Sequence, residues 1–160
     1  MTRERFIELV QVEQESLRRF LLALCNGDRE LAEDLAQETL IKAWLASDGF
    51  VERYKFSTWL FKIAYNTFLD YKKRPFRAVE PIDETHPSQD RPDDAFKYED
   101  LYFALSQLAE KTRMIIILYY MQGYSVIEIA KITGSNPVAV RQHLSRGRKQ
   151  LKKLLEDEEK

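Results

Sequence analysis

Five residues, Thr133 to Pro137, constrain this chain more than any others. They read Thr-Gly-Ser-Asn-Pro and separate two helical patterns. Gly134 suits the left-handed conformation that closes a helix. Asn136 suits an N-cap, and Pro137 a first helical turn, where a missing N–H costs nothing. The preceding helix, expected over Val126 to Ile132, opens with Ser125 and carries Glu128 three residues later, the spacing of a capping box. Two helices joined by a short turn containing Gly form a helix-turn-helix.

The helix that follows is expected from Pro137 to about Glu156. At ~100° per residue, Val140, Leu144, Leu151 and Leu155 share a face with Gly147. The opposite face carries Val138, Arg141, Gln142, Ser145, Arg146, Lys149 and Lys152. Cations with an amide and a hydroxyl can contact phosphates and base edges in a major groove. A merely solvated charged face is the alternative, and the Gly turn and Asn-Pro cap weigh against it. Gly147 costs ~1 kcal/mol against Ala inside a helix, so close helix packing is expected there. The net charge of −1 over 160 residues does not announce nucleic acid. Its distribution is more telling: Glu80 to Asp94 is acidic, whereas Arg141 to Lys153 is basic without an acid.

Elsewhere the periodic stretches are helical too. Arg3 to Cys25 is apolar at Phe6, Leu9, Val10, Leu17, Phe20, Leu21 and Leu24, and Asn26 to Asp28 breaks it. Further helices are expected at about Arg29 to Ala46, Ser57 to Arg74, Asp94 to Leu108 and Glu110 to Gln122. Gly123 is placed to end the last of these in a left-handed conformation. Pro75 to Asp94 holds four of the five prolines and little apolar content, the composition of a linker. There is no strand pattern and no internal repeat. The expected fold is all-α: two small helical domains, residues 1–75 and 95–160, joined by a flexible acidic linker at 76–94.

Two stretches of the first domain carry candidate binding faces. In "AEDLAQETLIKAW" (Ala32 to Trp44), Asp34, Gln37, Glu38, Ile41 and Lys42 project outward while Ala32, Ala36, Leu40 and Ala43 face inward. In "FSTWLFKIAYNTFLDYKKR" (Phe56 to Arg74), Leu60, Ile63, Ala64, Thr67 and Tyr71 form an apolar face. Thr58, Lys62, Tyr65, Asn66, Leu69 and Lys73 lie opposite. Lysines, an aromatic and an amide on one face can hold a single strand by stacking and charge. Trp59 and Phe68 are assigned to the core.

Other classes find little support. The lone cysteine, Cys25, rules out a disulfide framework, suggests a reducing compartment and reads as core. The N-terminus lacks a signal-peptide apolar block, and no apolar run approaches the ~20 residues needed to span a bilayer. A cytoplasmic protein without membrane insertion is expected. There is no nucleophile elbow, phosphate loop or metal cluster, and His86 and His143 are far apart in sequence. Neither catalysis nor a cofactor or metal is expected.

The two motifs above, the Pro-rich tether and "ALSQLAEKTRMIIILYYMQGYSVIEIAKITGSNPVAVRQHLSRGRKQLKKL" follow in an order that resembles an extracytoplasmic-function (ECF) sigma factor of bacterial RNA polymerase. The resemblance covers nearly the whole chain. It implies a first domain that binds core RNA polymerase and opens the −10 promoter element, and a second that holds the −35 element by its helix-turn-helix. By that resemblance, Asp34, Gln37, Glu38 and Ile41 fall in the polymerase-binding stretch. The loop from Ser47 to Lys55, with Lys62, Tyr65 and Asn66, falls in the −10 stretch. Arg141, Gln142, Ser145 and Arg146 fall where the family reads the −35 element, with Arg148, Lys149 and Lys152 as phosphate candidates. Many members are held by an anti-sigma factor, so the resemblance admits such a partner beside polymerase and promoter DNA. Val138-Ala139 stands where the family often has Gly-Thr, which puts one backbone contact in doubt. A self-sufficient helix-turn-helix regulator would leave the Lys62/Asn66 face unexplained and would normally need a dimer. A helical adaptor would make every charged face a protein contact.

Overall fold

The structure is a computed structural model that describes residues 1–74 and 99–158. The expected linker, 76–94, therefore lies outside the described residues, and within them every regular element is helical.

Three helices build the N-terminal bundle. α1 (Arg3–Leu24) starts where the Thr2 hydroxyl accepts a hydrogen bond from the Arg5 N–H. It ends where Asn26 and Gly27 take φ of 56° and 84° and the Gly27 N–H returns to the Leu22 carbonyl. α2 (Arg29–Leu45) begins at the expected cap, with Asp28 accepting from the Leu31 N–H at 3.1 Å. α3 (Phe56–Lys73) closes the bundle. Leu17, Phe20, Leu21, Leu24, Leu35, Leu60, Phe61 and Phe68 are almost fully buried between them. Each such side chain contributes roughly 1.5–3 kcal/mol relative to exposure. Thr39 and Thr67 are buried with them, their hydroxyls donating to the Leu35 and Ile63 carbonyls one turn back. Cys25 is core as expected, and burial pushes its thiol up to about 12.

The C-terminal bundle holds α4 (Glu99–Ser106), α5 (Glu110–Ile116), α6 (Val126–Thr133) and α7 (Pro137–Glu158). The sequence predicts one regular helix to Gln122; instead, α5 runs into a π-helical turn, Ile117–Met121. Gly123, at φ 74°, ends it as expected. The inner face of α7 carries Val140, Leu144 and Gly147. Leu155, expected on that face, is 37% exposed, and Leu154 is half-buried instead. Leu154, and not Leu155, continues the seven-residue spacing of Val140 and Gly147.

The two bundles are in contact. The buried residues of both bundles form one continuous cluster. α6 lies on α3, the π turn lies on α1, and the Tyr102 ring of α4 sits over Gly27.

Gly147 is where α7 meets α5. A Cβ there would stand 2.8 Å from two Ile116 carbons and 3.0 Å from Thr112 Cγ2. Ile116 is itself 4% exposed and has no room to retreat. Gly147→Ala should therefore reverse the usual helix-interior gain of ~1 kcal/mol and destabilise, since overpacking costs about 1–3 kcal/mol. The melting temperature should fall by several degrees, and adding Ile116→Val should recover part of the loss. A rise on Gly147→Ala alone would show that the two helices are not held this closely.

Candidate nucleic-acid interface

The helix-turn-helix forms by the chemistry read from its residues. The Ser125 hydroxyl accepts from the Glu128 N–H at 3.1 Å, and the Glu128 carboxylate accepts from the Ser125 N–H at 3.2 Å. Gly134 closes α6 at φ 68°. The Asn136 side chain then accepts from the Ala139 N–H at 2.8 Å and opens α7. These bonds fix the angle at which α7 leaves the turn. Arg141, Gln142, Ser145, Arg146, Lys149 and Lys152 are all exposed along it. Arg148 is exposed too, but its guanidinium is hydrogen-bonded to the Tyr120 hydroxyl and lies over the Tyr119 and Tyr120 rings. His143 turns inward, its Nδ1 2.9 Å from the Thr112 hydroxyl oxygen. Burial, then Lys111 and Arg146, hold the imidazole below its ordinary pKa, so it adds no charge to this face near neutral pH.

The polymerase-facing candidates on α2 are partly free. Asp34, Gln37 and Ile41 are exposed, and Ile41 is 61% so. Glu38 is half-buried, held by Arg74 at 2.6 Å and by Lys42 at 3.8 Å. Leu45, 77% exposed, and Trp44 extend the apolar stripe beyond Ile41. Sequence reading missed this extension, although the i, i+4 spacing from Ile41 to Leu45 is its signal.

The −10 candidates are divided. Phe50 packs on Phe56 and Trp59 with ring centroids 5.5 and 5.1 Å apart, which anchors the loop after α2. Trp59 is thus half-buried, whereas Phe68 is core as expected. Beyond the anchor, Arg53, Tyr54, Lys55 and Lys62 line a cavity of about 590 Å³ whose far wall is Ile127, Glu128 and Lys131 of the other bundle. Lys55 Nζ bonds Glu128 at 3.0 Å. Burial raises the Glu128 pKa, but the bonds from Lys55 and Ser125 outweigh it, and the carboxyl titrates below its usual range. Asn66 is exposed as expected.

Tyr65 is not exposed: it retains 8% and faces the bundle interface. It lies on a stripe with Phe61, Phe68 and Lys72, spaced for one helix face. Phe61 meets Tyr124 at 5.3 Å between centroids, Arg113 lies over Phe68, and Lys72 pairs with Glu110 at 3.7 Å. Burial, and then Glu110, raise the Tyr65 pKa. The face assignment fails here because one helix's periodicity carries no record of a second bundle packed on it.

Comparison with known proteins identifies the family. Residues 9–75 match the family model of Sigma-70 region 2, and residues 98–151 that of Sigma-70 region 4. The chain is 34% identical over 145 residues to the ECF RNA polymerase sigma factor EcfG of Rhodopseudomonas palustris, covering 88% of this chain and 79% of that one. It is 29% identical over 170 residues to SigW of Bacillus subtilis, covering 96% and 90%. Among solved structures, the sigma factor RpoE in complex with the anti-sigma factor NepR from Bartonella quintana superposes with a TM-score of 0.77. That match has 28% identity over 96% of this chain and 98% of that one. The two family-model matches cover both bundles, and the helix-turn-helix with its exposed basic face lies in the region 4 match; the chain belongs to the ECF sigma factors, which direct RNA polymerase to promoters and start transcription.

Proposed function

We propose how the sigma-factor activity divides along this chain. Residues 1–75 bind core polymerase and act on the −10 element, residues 76–94 tether, and residues 95–160 hold the −35 element. The observation that carries this reading is α7: a helix held by its apolar face on α5, with a row of exposed cations, amide and hydroxyl on the other side. Within that row, Arg141, Gln142, Ser145 and Arg146 occupy the N-terminal half, which in a recognition helix faces base edges. Lys149 and Lys152 follow where such a helix rises toward phosphate. Arg148, turned onto two tyrosines, serves first to brace α7 on the π turn.

On the other bundle, Asp34, Gln37, Ile41 and Leu45 form a mixed polar and apolar stripe suited to a polymerase helix. Glu38 acts mainly by anchoring Arg74 and Lys42. Lys62 and Asn66, with the loop ending at Lys55, form the −10 surface; Tyr65 and Lys55 join it only when the bundle interface opens. The chain supplies specificity and the polymerase supplies the chemistry, so it acts in the cytoplasm. The likeness to a sigma factor solved with its anti-sigma factor supports an anti-sigma partner here as well.

Arg141→Ala should relax preference at one or two −35 positions, because a bidentate Arg–guanine contact discriminates by about 1–3 kcal/mol. Lys149→Ala should weaken all promoters alike and lower the salt slope by about one counterion. Promoter selection with reconstituted holoenzyme measures both; the opposite pattern would mean that α7 docks with the other end toward the bases. Asp34→Lys combined with Ile41→Ala should weaken competition for core enzyme with helicity unchanged, and undiminished competition would remove α2 from the polymerase contact. Asn66→Ala should slow open-complex formation more on duplex promoter than on a template premelted at −10, since flipping bases out of the stack costs a few kcal/mol. Equal loss on both templates would point to a folding defect.

A further inference from the structure

Val138 is an apolar side chain at the head of a polar stripe. It is 60% exposed, and Arg141, Gln142 and Ser145 follow it along the outward face of α7, all exposed. A single exposed valine is ordinary on a protein surface. Neither helix stability nor burial accounts for this one. Valine forms helices less well than alanine. Val140, two residues on, is fully buried, and about 200° of helical rotation turns Val138 away from the core that holds it.

The direction of the side chain is set by the turn before it. The Asn136 side chain accepts from the Ala139 N–H at 2.8 Å, and the Asn136 carbonyl accepts from the Val140 N–H at 3.1 Å. These bonds fix the first turn of α7, and a β-branched side chain on a helix keeps mainly one rotamer. The isopropyl group is therefore presented in one place, ahead of Arg141. Major-groove base edges offer such a group one apolar partner, the thymine C5 methyl. The other groups on those edges are donors or acceptors, which would lose water against a valine and gain no bond.

We infer that Val138 is a specificity-determining residue that reads a thymine methyl in the −35 element, close to the base that Arg141 selects. The inference rests on the sigma-factor reading above, with the N-terminal half of α7 toward the bases. Three residues of helix advance roughly 4.5 Å, and one base step is roughly 3.4 Å. The thymine therefore lies one or two base pairs from the base of Arg141, on either strand.

The test uses reconstituted holoenzyme on the −35 element it selects, with each thymine of that element replaced in turn by deoxyuridine. The replacement removes the methyl and keeps every hydrogen-bonding group. For the parent, one such replacement should weaken promoter binding about fourfold, the worth of one buried methyl-sized group. Val138→Ala should weaken binding to the thymine promoter by a similar factor and lose its sensitivity to that deoxyuridine. At the same position, 5-methylcytosine should bind the parent better than cytosine does, and Val138→Ala no better. Thermal unfolding of Val138→Ala should match or exceed the parent, because alanine is the better helix former, which separates a lost contact from a folding fault. A parent indifferent to every replacement overturns the inference and leaves the sigma-factor reading standing. So does a sensitive thymine more than two base pairs from the base of Arg141, or a Val138→Ala variant that keeps the parent's penalty. Holoenzyme without any −35 preference overturns both.

Discussion

Thr112 to Leu118 is a run of seven residues, each less than a tenth exposed, and the other elements lean on it. A helix buried around its whole circumference must serve more than one neighbour. On one side Thr112 and Ile116 receive Gly147 of α7. On another, Arg113 meets Phe68 of the N-terminal bundle. The π turn that continues the run carries Ile117 and Leu118 onto α1, because an inserted residue shifts the phase of the side chains that follow. The apolar run Met114 to Leu118 is therefore the wall shared by α7 and the N-terminal bundle.

Charge is sorted to match. The chain is close to neutral as a whole, yet α7 presents cations along one exposed face with no acid between Arg141 and Lys153. Such a local field draws a duplex without a large net charge, and screening confines it to about 8–10 Å at ordinary salt. The loop after α2 is treated differently. Lys55 is engaged by Glu128, the same residue that completes the capping box of α6. One carboxylate thus stabilises the start of the helix-turn-helix and engages a lysine of the other bundle's loop, which ties the two bundles together.

Local chemistry was readable wherever the determining partners lie within a few residues. Asp28, Ser125 with Glu128, Gly134, Asn136 and Gly123 all act as their residue types require, because caps and left-handed turns are satisfied inside one helical turn. Gly147 was readable as a close approach, since a glycine in that pattern needs a compensating contact. The π turn was not, because α and π stretches share composition and differ only in which carbonyl each N–H reaches. Tyr65 was misassigned to solvent and Leu155 to the core for a related reason: periodicity says which residues share a face, but not what covers it or where the cover stops.

An all-helical chain, the position and punctuation of its helix-turn-helix, and a basic outer face on the last helix are legible in the residues alone. Each of these rests on bonds or periodicity local to the segment. That the two bundles share a core, that Phe61, Tyr65 and Phe68 lie beneath the second bundle, and that Arg113 is buried against Phe68 is visible only in the folded chain. Contacts between residues some fifty positions apart have no period and no local cap to announce them. They exist because exposed apolar faces left on α3 and α5 lose water most effectively against each other.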